Sequence, residues 1–291
     1  MPAYRFCRTD DIQLLTDAVN ACYVVHFPDE AALSSSDFKR DVRELDVWCS
    51  SCMVASADGD PIAVVIGAKR AHETLIHRIA VRPGFMRRGH AQHMLQSLGQ
   101  KLAVLGPPLI VAEVPDDLSG APELFGSLGY EAGARFADFR LSKPLAPSPA
   151  AGEVSETGLD ELLRYGAIDP SVTRSWERAL ETLRNRKDQL RGVAIASDTR
   201  VEAHALYRDV TEEGRREIVA IGAADQGEEG RLDSRLLAEV VLRVACQAGS
   251  LVVTIPKVST EEIAWSFLES MGFEQVRTYT RYCAAPDSRT R

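Results

Sequence analysis

The sequence predicts a mixed α/β (α+β) chain made of two tandem copies of one domain, each a mixed, mainly antiparallel central sheet flanked by helices. Three observations predict it. The chain is 291 residues long, which is long for a single core, and two domains of ordinary size are the expectation. Between Leu141 and Val154, near the midpoint, prolines stand among small residues with no periodic apolar pattern, the mark of a semi-rigid linker. The halves on either side then repeat one another. Val111-Ala112-Glu113-Val114-Pro115 matches Val252-Val253-Thr254-Ile255-Pro256, Gly89 matches Gly230, and Leu128-Gly129-Tyr130-Glu131 matches Met271-Gly272-Phe273-Glu274. Three matches in one order, at nearly one offset, argue for duplication of a whole domain. The boundaries that follow are a first domain over 1–142, a linker over 143–152 and a second domain over 153–291.

Along the first half, Tyr4 to Arg8 reads as a short strand. Asp10 to about Cys22 and Ser36 to Leu45 read as helices, the second opened by a serine cap. Trp48 to Ser56 and Pro61 to Ala68 read as strands joined by Asp58-Gly59-Asp60, a hairpin turn. Leu75 to Val81 alternates as a third strand, and Ala91, Met94, Leu95, Leu98, Leu102 and Leu105 recur at helical spacing. Leu109 to Val114 is a buried strand, Pro122 to Leu128 a short helix, and Ala134 to Leu141 a closing strand. The second half repeats the order. Helices are expected around Ser155–Tyr165 and Val172–Gln189, with three strands between Arg191 and Ala223. A helix from Leu232, a strand at Leu251–Ile255, a helix at Glu261–Glu269 and a last strand from Phe273 complete it.

Composition narrows the function classes. Hydrophobic residues at 45% and charged residues at 26% are those of a globular protein. A net charge of -8, from 34 basic and 42 acidic residues, argues against a general affinity for nucleic acid or an anionic membrane. No apolar run approaches the roughly 20 residues that span a bilayer, and the N-terminus carries no apolar signal segment. A cytoplasmic location is therefore expected, with the six cysteines reduced and too scattered for a disulfide framework.

The informative stretch is Ile79-Ala80-Val81-Arg82-Pro83-Gly84-Phe85-Met86-Arg87-Arg88-Gly89-His90-Ala91. A strand runs into a tight turn, and the turn opens a helix whose first N–H groups lack internal partners. Those donors and the positive end of the helix dipole suit a diphosphate. Gly89 and Ala91 let phosphate oxygens approach the backbone, while Arg87 and Arg88 add positive charge. This stretch resembles motif A of the GNAT superfamily of acyltransferases, whose (Gln/Arg)-x-x-Gly-x-(Gly/Ala) pattern falls on Met86, Arg87, Arg88, Gly89, His90 and Ala91. Met86 departs from the pattern at its first position. The resemblance implies that this loop binds the pyrophosphate of acetyl-CoA, and that the backbone of Ile79, Ala80 and Val81 lies along the pantetheine arm. Leu124 to Tyr130 is similar to the family's Tyr-x-x-x-Gly-Phe segment, so the resemblance covers the first half in order. The implied fold is two tandem GNAT-fold domains.

In the second half the matching turn is Asp225-Gln226-Gly227-Glu228-Glu229-Gly230-Arg231-Leu232. Glu228 and Glu229 replace the two arginines, and like charges oppose a diphosphate. The bulky Leu232 stands where a small residue is expected. This copy reads as degenerate, shaping an acceptor cleft or an interface, and tandem members of the superfamily are similar in pairing one working copy with one degenerate copy.

Acyl transfer to an amine needs a neutral nucleophile, and an alkylammonium of pKa about 10 calls for a base. His77, two residues before Ile79 and expected on the same strand face as Ile79 and Val81, is the first candidate; some GNAT enzymes carry a histidine in a similar His-x-Leu-Ala-Val segment. An ordinary half-exposed strand histidine is the competing reading. Glu73 is the second candidate, against a merely solvated glutamate. The family's proton-donating tyrosine falls on Phe125, and on Leu268 in the second copy, so the usual acid is missing. Either another group serves, the thiolate leaves unaided, or the protein is not catalytic.

Trp48-Cys49-Ser50-Ser51-Cys52 lacks the helix that a redox dithiol needs, and the cysteines offer no second pair for zinc. His90 and His93, one turn apart, have no carboxylate or cysteine at metal spacing. No metal is expected. The expected function is an acyl-CoA-dependent N-acyltransferase, with acetyl-CoA as co-substrate and a small-molecule or peptide amine as acceptor. A catalytically silent GNAT-fold sensor or scaffold is the alternative. Monomer and homodimer stay equally open.

Overall fold

The computed structural model describes residues 2–27, 31–141, 154–224, 234–249 and 251–286. Two units form, Met1–Gly133 with Thr280–Arg291, and Ala134–Tyr279. The units follow contacts and not chain order: residues 134–141 count with the second and residues 280–291 with the first. The expected linker over 143–152 lies outside the described residues.

The first unit opens with β1 (Ala3–Phe6) and α1 (Ile12–Cys22), which buries Leu15, Ala18, Val19 and Cys22. A reciprocal cap starts α2 (Ser35–Glu44): the Asp37 amide donates to the Ser34 hydroxyl, and the Ser34 amide donates to the Asp37 carboxylate. The cap therefore falls on Ser34, two residues before the expected helix start. β2 (Met53–Ala57) and β3 (Asp60–Lys69) pair antiparallel, and Asp58 (φ 53°) and Gly59 (φ 92°) supply the two left-handed residues a tight hairpin needs.

β2 does not reach back to Trp48 as expected. Cys49–Ser51 is a 3-10 turn that packs against β3, and Gly67 makes the close approach possible, since a Cβ there would lie 2.6 Å from the Ser51 carbonyl oxygen. β4 (Glu73–Val81) pairs antiparallel with β3. α3 (His90–Leu105), β5 (Leu109–Pro115) and α4 (Ala121–Ser127) follow. Met94, Leu95, Leu98 and Leu102 of α3 pack on Ile76, Ile110, Ala112 and Phe125. Leu105 lies beyond this face and is exposed. The sheet order is β1-β2-β3-β4-β5, with the last strand of the chain beside β5.

The second unit repeats the plan. It contains β6 (Glu131–Leu141), β7 (Val154–Thr157), α5 (Leu159–Arg164), α6 (Leu180–Asn185), β8 (Arg191–Ala196), β9 (Val201–Val210) and β10 (Arg215–Ala223). After these come α7 (Ser234–Cys246), β11 (Val252–Ser259), α8 (Trp265–Ser270) and β12 (Phe273–Ala284), the strand whose end joins the first unit. Its strand order is β12-β6-β11-β10-β9-β8-β7. Gly129 (φ 78°) and Gly272 (φ 86°), matched by the sequence repeat, adopt the same left-handed turn.

Three expected helices are shortened. Ser155 to Thr157 pairs with β8 as part of β7, leaving only Leu159–Arg164 helical. Val172–Gln189 contains α-helix only over Leu180–Asn185, followed by a 3-10 turn at Lys187–Gln189. The reason is that Trp176 and Arg178 are both buried, at 1% and 0% exposure, whereas two residues apart on a helix they would face nearly opposite sides. Glu261–Glu269 starts its helix only at Trp265, because Glu262 turns inward to meet Arg178.

One buried histidine sets an acid limit on this unit. His204 on β9 lies across from Gly222 of β10, whose missing side chain makes room: a Cβ there would sit 2.8 Å from the imidazole Cε1. Burial, helped by the Arg174 charge, pushes the His204 pKa down from 6.5 to about 4. Between those values the unfolded chain binds a proton there that the folded chain does not, so stability falls as pH falls through that window. This site should cost about 2 kcal/mol between pH 7 and pH 5. Urea unfolding at both pH values should therefore give a flatter acid dependence for His204→Asn than for the wild type, and identical dependences would refute the assignment.

Candidate active site

β4 and β5 run parallel but stay together only briefly. Their ladder covers Glu73↔Leu109, Thr74↔Ile110 and Leu75↔Val111, and then stops. β4 continues to Val81 paired on its other edge with β3, while β5 continues to Pro115. From Ile76 onward, the β4 edge facing β5 has no ladder partner among the described residues. Backbone donors and acceptors on such an edge need a partner from somewhere, and an extended ligand arm can supply one as an added strand would.

A β-bulge marks the point of divergence. Ile66 pairs with Arg78 and Gly67 with Ile76, so His77 is the extra residue. The bulge corrects the expected alternation. Ile79 and Val81 pack toward α3 with Ile76, but His77 and Arg78 both turn to α2, where the His77 Nε2 lies 3.9 Å and the Arg78 Nη1 3.4 Å from the Asp41 Oδ2. His77 thus stands on the opposite face from Ile79 and Val81. The Arg78 guanidinium also lies 5.6 Å from the centre of the Tyr23 ring. At the end of β4, the His26 Nε2 is 2.8 Å from the Val81 carbonyl oxygen.

Beyond Val81 the chain makes a 3-10 turn over Pro83–Phe85 and enters α3 through Gly89 (φ 82°). Arg87 is itself left-handed (φ 58°), a strained setting for a side-chain-bearing residue. No side chain caps α3, so its first N–H groups have no capping partner. A Cβ placed on Gly89 would meet nothing within 4 Å, which leaves the approach to those groups open. Met86, Arg87 and Arg88 are exposed. Arg88 lies 5.4 Å from the Phe85 ring. His90 has a different role: it is buried, its Nδ1 is hydrogen-bonded with the Tyr4 hydroxyl, and it ties the loop to β1. The loop combines free amides, two cations and room, which is what a diphosphate requires.

The remaining candidates lie apart from this loop. Glu73 is in an ion pair with Arg281 on the last strand. Phe125 is buried, stacked on Tyr282 with centroids 5.4 Å apart and edge-on to Tyr130 at 5.2 Å. Leu268 is fully buried in the second core. Cys52 has no exposure, and burial pushes its thiol well up. Burial likewise pushes Cys7 up to about 12. These thiols are poor nucleophiles. No group of three or more His, Cys, Asp or Glu side chains among the described residues stands ready to hold a metal ion. Nor is any described helix long and apolar enough to cross a membrane.

The second unit has the same divergence, closed from within. β10 carries its bulge at Val219, and its parallel ladder with β11 stops after Glu217↔Thr254. Past that point the Arg178 Nη1 donates to the Ile218 carbonyl at 2.7 Å and to the Pro256 carbonyl at 3.3 Å, bridging the separated strands. Its Nε and Nη2 donate to Glu262 at 2.9 Å, with both side chains fully buried. The acidic turn at 225–232 lies outside the described residues.

Sequence reasoning did not find Asp41, His26 or the Arg178–Glu262 pair. Only Asp41 leaves a trace: it falls between Phe38 and Leu45 at helical spacing, a carboxylate flanked by two buried apolar residues.

Residues 12–130 match the model of the acetyltransferase (GNAT) family. A GCN5-related N-acetyltransferase from Sphaerobacter thermophilus shares the fold at TM-score 0.70 and 18% identity, over 98% of this chain and 95% of that one. A tandem GNAT protein from the clavulanic acid biosynthesis pathway aligns over 99% of both chains, at TM-score 0.69 and 13% identity. A GCN5-related N-acetyltransferase from Anabaena variabilis aligns at TM-score 0.60 and 14% identity, over 99% of this chain and 73% of that one.

The closed slot makes a stability prediction. Glu262→Ala leaves the Arg178 guanidinium buried without its counter-charge and should cost about 3–5 kcal/mol. Denaturant unfolding at neutral pH measures it, and a loss below about 1 kcal/mol would mean the pair is not the closure described.

Proposed function

We propose, from the premise that residues 12–130 belong to the GNAT acetyltransferase family within a chain of tandem GNAT fold, that this protein is an acyl-CoA-dependent N-acyltransferase. Acetyl-CoA is the proposed co-substrate and a small-molecule or peptide amine the acceptor. The observation that supports this most is the edge of β4 that has no ladder partner among the described residues from the bulge onward and leads straight into an open, cationic helix N-terminus.

In this reading the backbone of Ile79, Ala80 and Val81 holds the pantetheine arm. The turn from Met86 through Arg87, Arg88, Gly89 and His90 to Ala91 holds the pyrophosphate. His90 acts through its backbone, since its ring is committed to Tyr4. Bound acyl-CoA supplies the thioester. His77 takes the proton from the acceptor nitrogen as the nitrogen–carbon bond forms. The carbon–sulfur bond breaks, its electron pair leaves with sulfur, and protonation from solvent completes the CoA thiol. With phenylalanine at 125 no hydroxyl assists there, and a thiol of pKa about 8.5 is a fair leaving group without one. Glu73 is the weaker base candidate, because Arg281 already engages it. The second copy carries no proposed ligand: Arg178 fills the place of the arm. Phe125 and Met86 favour the other reading, a silent CoA-binding sensor or scaffold.

Release of free thiol from acetyl-CoA over a panel of polyamines, amino acids, aminoglycosides and arylalkylamines separates the two readings. Turnover with at least one amine supports the enzyme, and binding with no turnover supports the sensor. Calorimetry on the intact chain should give one acetyl-CoA site, and Gly89→Glu should abolish it by steric block and charge. His77→Ala should cost on the order of 10²–10⁴ in turnover with acetyl-CoA affinity nearly unchanged. Turnover within a few-fold of wild type would eliminate His77 as the base.

A further inference from the structure

His77 shares its face of β4 with a small charged cluster. Asp41 and Arg40 approach from α2, and Arg78 and Glu73 stand on β4 itself. Tyr23, just past the end of α1, lies beneath Arg78. Glu44 is buried one turn further along α2. Within this cluster the Asp41 carboxylate lies 3.9 Å from the imidazole Nε2.

We propose that Asp41 is the positioning residue for His77, its carboxylate fixing the imidazole at the bulge where the acceptor nitrogen must arrive. The proposal rests on the reading of His77 as proton acceptor given above. Three features carry it. The bulge turns His77 off the α3 face and toward α2, so its orientation is set by what α2 offers. Asp41 sits on the inner face of α2, between the buried Phe38 and Leu45 and one turn from the buried Glu44, and a carboxylate there needs compensating partners. At 3.9 Å the pair is longer than a direct hydrogen bond, as catalytic contacts often are before substrate closes the site.

The electrostatics agree in sign. Burial works against an ionised Asp41, but the His77 imidazole, Arg78 and Arg40 more than offset it and hold the carboxyl below its usual range. An interaction that favours the carboxylate equally favours the proton on the imidazole. Removing the Asp41 charge would leave Arg78 and Arg40 to oppose the imidazolium with that counter-charge gone.

The test compares wild type, Asp41→Asn, Asp41→Glu and His77→Ala as full-length chains. Two readouts are needed: the His77 titration midpoint by NMR in the free protein, and the pH profile of kcat with acetyl-CoA and an amine active in the panel. Asp41→Asn should lower the His77 midpoint and the rising limb of kcat by about one unit. It should reduce kcat about 10-fold or more, without changing the KM for acetyl-CoA. Asp41→Glu should recover a large part of both. Should Asp41→Asn not fold, Asp41→Ser takes its place and should lower the midpoint likewise, because it too lacks the carboxylate. An unmoved midpoint and pH profile in a folded Asp41→Asn or Asp41→Ser protein, with His77→Ala inactive, would overturn this proposal while leaving His77 as base. A His77→Ala protein with nearly full turnover, or no turnover by any amine, would overturn the His77 reading and this proposal together.

Discussion

Two parallel strands that part company after three paired residues are the constraint on which the rest of this structure depends. Buried backbone groups cost free energy when left without partners. A sheet that opens must therefore meet that cost from outside the ladder. Both units open at the same place, just before a one-residue bulge, at His77 in the first and Val219 in the second. How each opening is satisfied differs between the two units.

In the second unit the answer is internal. A buried guanidinium bridges the parted strands and is neutralised by a buried carboxylate. Such a pair is expensive to assemble but more expensive to break, so it locks the opening shut. The local chain is bent to this purpose: residues 172–179 give up helix so that Trp176 and Arg178 can both point inward. In the first unit the β4 edge past Leu75 has no ladder partner from β5 among the described residues. The turn that follows instead presents free amides, left-handed Arg87 and Gly89, and exposed cations. Strain of that kind persists only where the surrounding structure over-determines it.

Much of the fold was legible because it is locally encoded. The Asp58-Gly59 turn, the apolar face of α3 and the repeated glycines at 129 and 272 each need only a few neighbouring residues to specify them. Gly89 was readable for the same reason. The bulge was not, since it exists only in the pairing of β4 with β3, and without it the alternation put His77 on the wrong face. Asp41 and His26 meet β4 across long stretches of sequence, and a single chain pattern carries no signal for such encounters. Helix was over-assigned around Trp176 and Glu262 because helical spacing cannot reveal that a tryptophan and an arginine two positions apart are both interior.

The central claim is that one opened sheet awaits a ligand arm and the other is already filled. Hydrogen exchange at backbone amides, with and without saturating acetyl-CoA, tests it most directly. The account predicts slower exchange over residues 76–81 on adding acetyl-CoA and no change over residues 218–223. Protection of 218–223, or no protection of 76–81 when acetyl-CoA is bound, would contradict it.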